Sequence, residues 1–156
     1  MISNNLSQNE ASYIYYSAHS DEIIYLCKAK YVFGPLFLSC SKDKTIKIWK
    51  MHQIDKKVWF ELVNTYLDSN GIPKQGIFVD EDTIASITID GVLNVWNFYT
   101  LQKNSEFATS KYLLNNKYSI LEYYYYTHSL IVFCEIGHKT IPLVYIFIIN
   151  ENNKYK

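Results

Sequence analysis

The chain has 156 residues, and its fifteen basic and fifteen acidic side chains cancel to a formal net charge of zero at pH 7. It contains no arginine and no lysine-rich block, so its charge pattern argues against nucleic acid as a partner. Aromatic residues make up 17% of the sequence and stand, with isoleucine and valine, in short runs typical of strands. The composition therefore predicts an almost all-β chain.

The N-terminal segment, residues 1–12, is polar and lacks both the basic start and the apolar centre of a signal peptide. We expect a polar tail there, followed by an outer strand near residues 13–17. The next clear pattern is "SCSKDKTIKIWK", in which a polar turn separates two alternating runs. Such alternation predicts an antiparallel hairpin. Ile46 and Ile48 share one face of it, and a hairpin alone cannot cover that face.

The same layout returns further along the chain in "SITIDGVLNVWNF", residues 86–98. In both stretches an aspartate stands six residues before a tryptophan, as Asp43 does before Trp49 and Asp90 before Trp96. The two tryptophans are 47 residues apart. A period of this size is close to the ~40–45 residues of one propeller blade, so the hairpin is one unit of a repeat.

The first unit, "AHSDEIIYLC…FLSCSKDKTIKIWK", resembles a WD repeat. His19 stands where the family has its Gly-His, and Trp49-Lys50 where it has Trp-Asp at the end of the third strand. The resemblance implies a buried hydrogen-bonded chain that leaves no polar group of the blade without a partner. Its implied members in the first unit are His19, Ser39 or Ser41, Asp43 and Trp49.

The second and third units match the pattern less well. In the second, Thr88, Asp90 and Trp96 are in place, but His52 is the one histidine between the two tryptophans and comes far too early, so the loop there has to be held in another way. The third, "SILEYYYYTHSLIVFCEIGHKTIPLVYIFII", offers three strand-like runs and has neither the aspartate nor the tryptophan. Its last part is apolar, but charged residues and Pro142 interrupt it, which favours two strands over a membrane span of ~20 residues.

The expected fold class is thus all-β, a partial β-propeller of about three four-stranded antiparallel WD-type blades. Propellers close with typically ~4–8 blades, so three do not make a ring. We therefore favour a fragment or truncated form of a larger propeller, with self-association to complete a ring as the alternative. The predicted domain is 13–150, with blades at about 19–66, 67–114 and 115–150, strands ending the first two near 58–66 and 107–114, and a polar tail at 151–156.

The three cysteines indicate the redox compartment of the protein. Cys27, Cys40 and Cys134 are odd in number, far apart and set in apolar runs without a Cys-x-x-Cys pair. This spacing favours free thiols in a reducing compartment. We expect a cytoplasmic protein, with the nucleus as the alternative.

The sequence does not favour an enzyme, because it has no Walker loop, GxGxxG, HExxH or GxSxG motif. His19, Ser41 and Asp43 are the residue types of a hydrolase triad, but a WD blade uses the same types structurally. We expect no catalytic site, no cofactor and no metal. The resemblance implies a protein–protein interaction scaffold. Its expected contact edge comprises Ser20, Asp21, Lys42 and Lys44.

A weaker resemblance points to the actin-interacting WD-repeat proteins that act with cofilin. It rests on Gln75-Gly76 and on a second unit without histidine, with Ser86, Gly91, Leu93 and Asn94 at matching positions. This resemblance implies actin or cofilin as possible partners. The competing interpretation is a WD scaffold subunit of an RNA-processing complex.

Overall fold

The computed structural model describes residues 18–29, 34–69, 71–108, 118–124, 129–135 and 142–148. These ranges contain eleven strands and no helix. The strands form three antiparallel sheets, two of four strands and one of three. The all-β prediction is confirmed. The predicted outer strand at 13–17 and both polar tails lie outside the described residues.

The first sheet is a four-stranded meander, in which every strand pairs with its neighbour in sequence. Its strands are β1 (Ile23–Lys28), β2 (Leu36–Ser41), β3 (Thr45–Ile54) and β4 (Lys57–Leu67).

The expectation that the third strand ends at Trp49 is wrong, because β3 continues to Ile54. Met51 pairs with Phe60 and Ile54 with Lys57, so the last part of β3 and the first part of β4 form a hairpin extension. The two residues between them make its turn, in which Asp55 has a φ of 54°.

The second sheet repeats this meander with shorter strands. It comprises β5 (Pro73–Phe78), β6 (Thr83–Thr88), β7 (Val92–Asn97) and β8 (Lys103–Ala108). The last strand was expected near 107–114 but begins at Lys103. The reason is a tight turn directly after β7, which leads straight into β8. In this turn the Asn97 side chain accepts hydrogen bonds from the Tyr99 and Thr100 amides, and Leu101 has a φ of 60°.

The third sheet consists of β9 (Tyr118–Tyr124), β10 (Ser129–Glu135) and β11 (Pro142–Ile148), with β10 in the centre. Each outer strand pairs with β10 over seven residues without a register shift. In the part of the chain that the structure describes, this sheet therefore has three strands where four were expected. A count of about three blades remains a prediction.

The first two sheets enclose a common apolar core. Leu38, Cys40, Ile46 and Ile48 of the first sheet are fully buried and pack with Ile84 and Trp96 of the second. Burial also raises the pKa of the Cys40 thiol well above its ordinary value. Cys27 and Cys40 are free thiols, whereas the side chain of Cys134 lies outside the described residues.

A glycine sets how closely the sheets approach. A methyl group placed on the Gly76 Cα would lie 2.7 Å from Leu38 Cδ2 and 3.1 Å from Cys40 Sγ. A Cβ at the shorter distance would force the end of the Leu38 side chain to shift, so the glycine lets β5 lie close against β2.

Candidate functional site

The first sheet contains a chain of side-chain hydrogen bonds, which we call the His19 network (His19, Ser39, Asp43, Thr45 and Trp49). Trp49 Nε1 donates to Ser39 Oγ over 2.8 Å. Ser39 Oγ lies 2.7 Å from His19 Nε2, and His19 Nδ1 lies 2.9 Å from Asp43 Oδ2. The carboxylate favours the tautomer with the proton on Nδ1. In that tautomer His19 donates to Asp43 and accepts from the Ser39 hydroxyl.

Asp43 is the most strongly bonded member of this network. Its carboxylate accepts from the Thr45 hydroxyl at 2.6 Å, the Thr45 amide at 2.9 Å and the Ser20 amide at 3.1 Å. Burial alone would raise the pKa of Asp43, but the hydrogen bonds from Thr45, His19 and Ser20 outweigh it and hold that pKa well below its ordinary value. The carboxylate therefore ties the loop before β1 to the β2–β3 turn.

Ser41 has a different role from Ser39, although the sequence left the two as alternatives. The Ser41 hydroxyl donates to the Asp21 carbonyl and accepts from the Asp43 amide, both over 3.1 Å. It holds the turn, and Ser39 is the partner of Trp49.

In the second sheet the tryptophan again bonds a serine. Trp96 Nε1 donates to Ser86 Oγ over 3.1 Å, ten residues earlier in the chain, as Ser39 is ten residues before Trp49. The inclusion of Thr88 in this network was wrong: its hydroxyl accepts from the Val92 amide and so closes the β6–β7 turn. A matching register explains the choice, because in each sheet the serine pairs with the residue two positions before the tryptophan, Lys47 or Asn94. Serine and tryptophan are therefore diagonal neighbours on one face of the sheet.

Asp90 was also expected in this second network, and it too lies elsewhere. It is exposed in the β6–β7 turn and makes no hydrogen bond with Trp96. The physical reason is the missing histidine, since in the first sheet it is His19 that connects the turn aspartate with the serine.

A buried pair that sequence reasoning missed holds the loop before the second sheet. Asn94 Nδ2 donates to Asp68 Oδ2 over 2.8 Å, and both residues are fully buried. Lys103 Nζ lies 3.9 Å from Asp68 Oδ1 and 4.8 Å from the centre of the Trp96 ring. Two positions could have given the signal: Asp68 precedes β5 much as His19 precedes β1, and Asn94 stands two residues before Trp96.

The four residues of the expected contact edge lie at one end of the first sheet. Ser20 and Asp21 are in the loop before β1, and Lys42 and Lys44 are in the β2–β3 turn; all are exposed. Lys42 Nζ pairs with Glu22 Oε2 at 2.5 Å, and this hydrogen bond raises the pKa of Lys42. The structure thus places these residues around the His19 network, with charges of both signs.

The geometry of the His19 network indicates a structural role. The side chains of His19 and Asp43 are only 1% and 7% exposed, and the Ser39 hydroxyl already serves both the imidazole and the indole. Within the described ranges no group of three histidine, cysteine or acidic side chains is placed to hold a metal ion. The same ranges contain no helix of the length and apolarity needed to cross a bilayer.

Comparison with known proteins gives one informative result. No family model matches the sequence, and no curated protein matches it. The structure is similar to the crystal structure of the C-terminal WD40 domain of Sif2, with a TM-score of 0.60 and 17% sequence identity. The match covers 83% of this chain and 32% of the other, so this chain spans about a third of that domain's length. The likeness shows the fold: these antiparallel sheets are arranged as in a WD40 domain.

Proposed function

We propose that this chain is a non-catalytic protein–protein interaction scaffold of the WD-repeat type, and a fragment or truncated form of a larger propeller. The observation that carries the proposal is the pair of four-stranded meanders with a Trp–Ser hydrogen bond at the same place in each. WD40 folds generally present rigid loops and strand ends to protein partners, and their polar networks serve the blade itself.

The contact edge of Ser20, Asp21, Lys42 and Lys44 is the surface that we propose for a protein partner. The His19 network below it bonds the loop and the turn to each other, so the edge is rigid without any partner. A preorganised loop surface loses little conformational entropy on binding. Its mixed charges suit a partner surface that also carries both signs.

The test is capture of crosslinked partners by the tagged chain from a cell extract. Lys42→Glu combined with Lys44→Glu should abolish capture, because the two charges are reversed on the proposed surface. Lys56→Glu combined with Lys57→Glu is the matched control, since these exposed lysines lie at the tip of the β3–β4 hairpin. Equal capture by both variants would contradict the proposed edge.

The narrower alternatives are an actin-filament-regulating protein that acts with cofilin and a subunit of an RNA-processing complex. Gly76 carries part of the actin resemblance, but the close approach to Leu38 already requires a glycine there. Co-sedimentation with actin filaments and cofilin separates the alternatives: a pelleted chain supports the first. Recovery of ribonucleoprotein subunits from crosslinked cells supports the second. The location that we propose for the protein is the cytoplasm.

A further inference from the structure

The last strand of the first sheet, β4, has one free edge. It pairs with β3 on one side and is the outermost strand in the order of the sheet. Among the described residues no strand pairs with its other side. The second sheet meets the first face to face, with β5 against β1 and β2. Further sheets that stack on either face, as in a larger propeller, therefore leave the edge of β4 open.

The register shows which main-chain groups point to this free edge. The Met51 amide donates to the Pro35 carbonyl over 2.9 Å, toward β2 and away from β4. In an antiparallel pair, residues that do not bond each other alternate with residues that do. Phe60, which pairs with Met51, therefore points its N–H and C=O to the free edge. The pairing is regular over this part of β4, so Val58 and Leu62 do the same. We call these three residues the β4 edge.

The main-chain groups of the β4 edge are ready to accept a partner. In the described part of the chain none of them makes another hydrogen bond. The three side chains form an apolar row on one face, and they are between 40% and 47% exposed. On the other face Trp59 stacks on His52 at 5.2 Å, and His52 Nε2 lies 2.7 Å from Glu61 Oε2. These contacts across the hairpin hold the β4 edge in place without a partner.

The last strand of the second sheet shows how an edge discourages pairing. β8 has six residues, whereas β4 has eleven. In β8 the charged side chains of Lys103 and Glu106 pair at 3.3 Å. Short edge strands with charged side chains are poor templates for another strand. The segment of β4 from Val58 to Leu62 has four apolar residues and one charged residue, so it lacks this protection.

We propose that the β4 edge binds an extended segment of a protein partner, which adds a fifth strand to the first sheet. The occupant follows from the chemistry of the edge, because outward N–H and C=O groups in strand register are matched by another extended main chain. The segment should carry apolar side chains at every second position, where they lie beside the apolar row of the β4 edge.

The inference rests on the proposed scaffold function, since the segment belongs to a partner that also docks on the contact edge. The two surfaces adjoin: Leu67 at the end of β4 pairs with Thr45, directly after the β2–β3 turn. A single added strand makes few hydrogen bonds, so its binding adds to that of the contact edge when both belong to one partner.

Selection of peptides by the full chain tests the added strand. The probe is a displayed library of random linear peptides, each long enough for a strand of ~6 residues. Selected peptides should share apolar residues at alternate positions. Val58→Pro should abolish their binding, because proline removes an outward N–H and leaves the hydrogen bonds to β3 intact. Val58→Thr is the matched control, since it keeps both the N–H and the β-branched shape, and it should still bind.

Amide exchange in the unaltered chain is the second measurement, and it decides the matter if Val58→Pro loses the circular dichroism of the parent. The Phe60 and Leu62 amides should exchange rapidly in the free chain and slowly once a selected peptide is bound. The Trp59 and Glu61 amides point to β3 and should exchange slowly in both states, so they serve as the internal reference.

The proposal would be overturned if no peptide is selected, if the selected peptides lack the alternation, or if a folded Val58→Pro chain still binds them. Phe60 and Leu62 amides that are already protected in the free chain would also overturn it, because a second copy would then occupy the edge. Partner capture that depends on Lys42 and Lys44 without peptide binding would leave the scaffold function intact. Peptide binding with equal capture by the two lysine variants would support the added strand and refute the contact edge.

Discussion

The first and second sheets solve the same structural problem with different chemistry. In the first, an imidazole connects the turn aspartate with the serine that binds Trp49. In the second, where no histidine is present, the fully buried Asp68–Asn94 pair holds the corresponding loop. Only the tryptophan–serine bond is common to both. The comparison teaches that the strand register places this bond, whereas the loop is held by different buried hydrogen-bonded side chains in the two sheets.

The largest difference between the sheets should appear when each tryptophan is removed. Trp96→Ala should lower the free energy of unfolding by ~3–5 kcal/mol, because a large aromatic side chain is lost from a site that is 5% exposed. Trp49→Ala should cost less, because the Trp49 side chain is only partly buried. Urea denaturation followed by circular dichroism measures both. A larger loss for Trp49 would contradict the assigned burial.

The buried pair of the second sheet should be nearly as sensitive. Asn94→Leu keeps the branched shape of the side chain but leaves the Asp68 carboxylate without its amide donor, so we expect a loss of ~3 kcal/mol. Replacing both partners, as in Asp68→Leu with Asn94→Leu, should restore part of this loss, because the carboxylate that lost its donor is removed as well and Lys103 keeps its ion pair with Glu106. Denaturation midpoints of Asn94→Leu, Asp68→Leu and the double variant measure this, and additive losses would show that the pair does not act as a unit.

The interface between the sheets can be tested at the close approach of Gly76. Gly76→Ala should destabilise the chain by ~1–3 kcal/mol, since the added methyl group meets Leu38 at 2.7 Å. Leu38→Val in the same chain should relieve much of this cost by withdrawing the contacting atoms. Thermal unfolding of the two single variants and the double variant gives the coupling free energy between residues 38 and 76. No rescue would mean that β5 does not lie against β2 as described.

The smallest effect concerns the pH dependence of the first sheet. Because the pKa of Asp43 is held below its ordinary value of 3.8, its stabilisation is fully present above that pH. It is lost progressively as the pH falls below 3.8 toward the lower pKa of the folded state. Asp43→Asn should therefore flatten the acid side of the stability curve, as followed by denaturation at several acidic pH values. An unchanged acid limb would show that this carboxylate is not the group that titrates.

Sequence patterns predicted the strands well because alternation and turn chemistry are local. The 47-residue spacing of the two tryptophans identified the repeat, and His19, Asp43 and Trp49 lie together as the WD pattern implies. The extension of β3 to Ile54 was missed because its residues do not alternate between buried and exposed positions as the earlier part of β3 does. Thr88 and Asp90 were misassigned, since the type of a residue does not reveal which neighbour it bonds. The Asp68–Asn94 pair joins residues 26 positions apart, and although each position is suggestive, the local sequence does not show that the two side chains meet.

The central claim is that Trp49 and Trp96 each bond a serine of their own sheet and that the first sheet covers Trp96. Proton NMR of the indole groups tests it directly, because the sequence has three tryptophans and hence three indole signals. The signals of Trp49 and Trp96 should exchange slowly with solvent and that of Trp59 rapidly, and Trp96 should show a nuclear Overhauser effect to the Tyr66 ring. Equal exchange of all three signals, or no effect between Trp96 and Tyr66, would contradict the account.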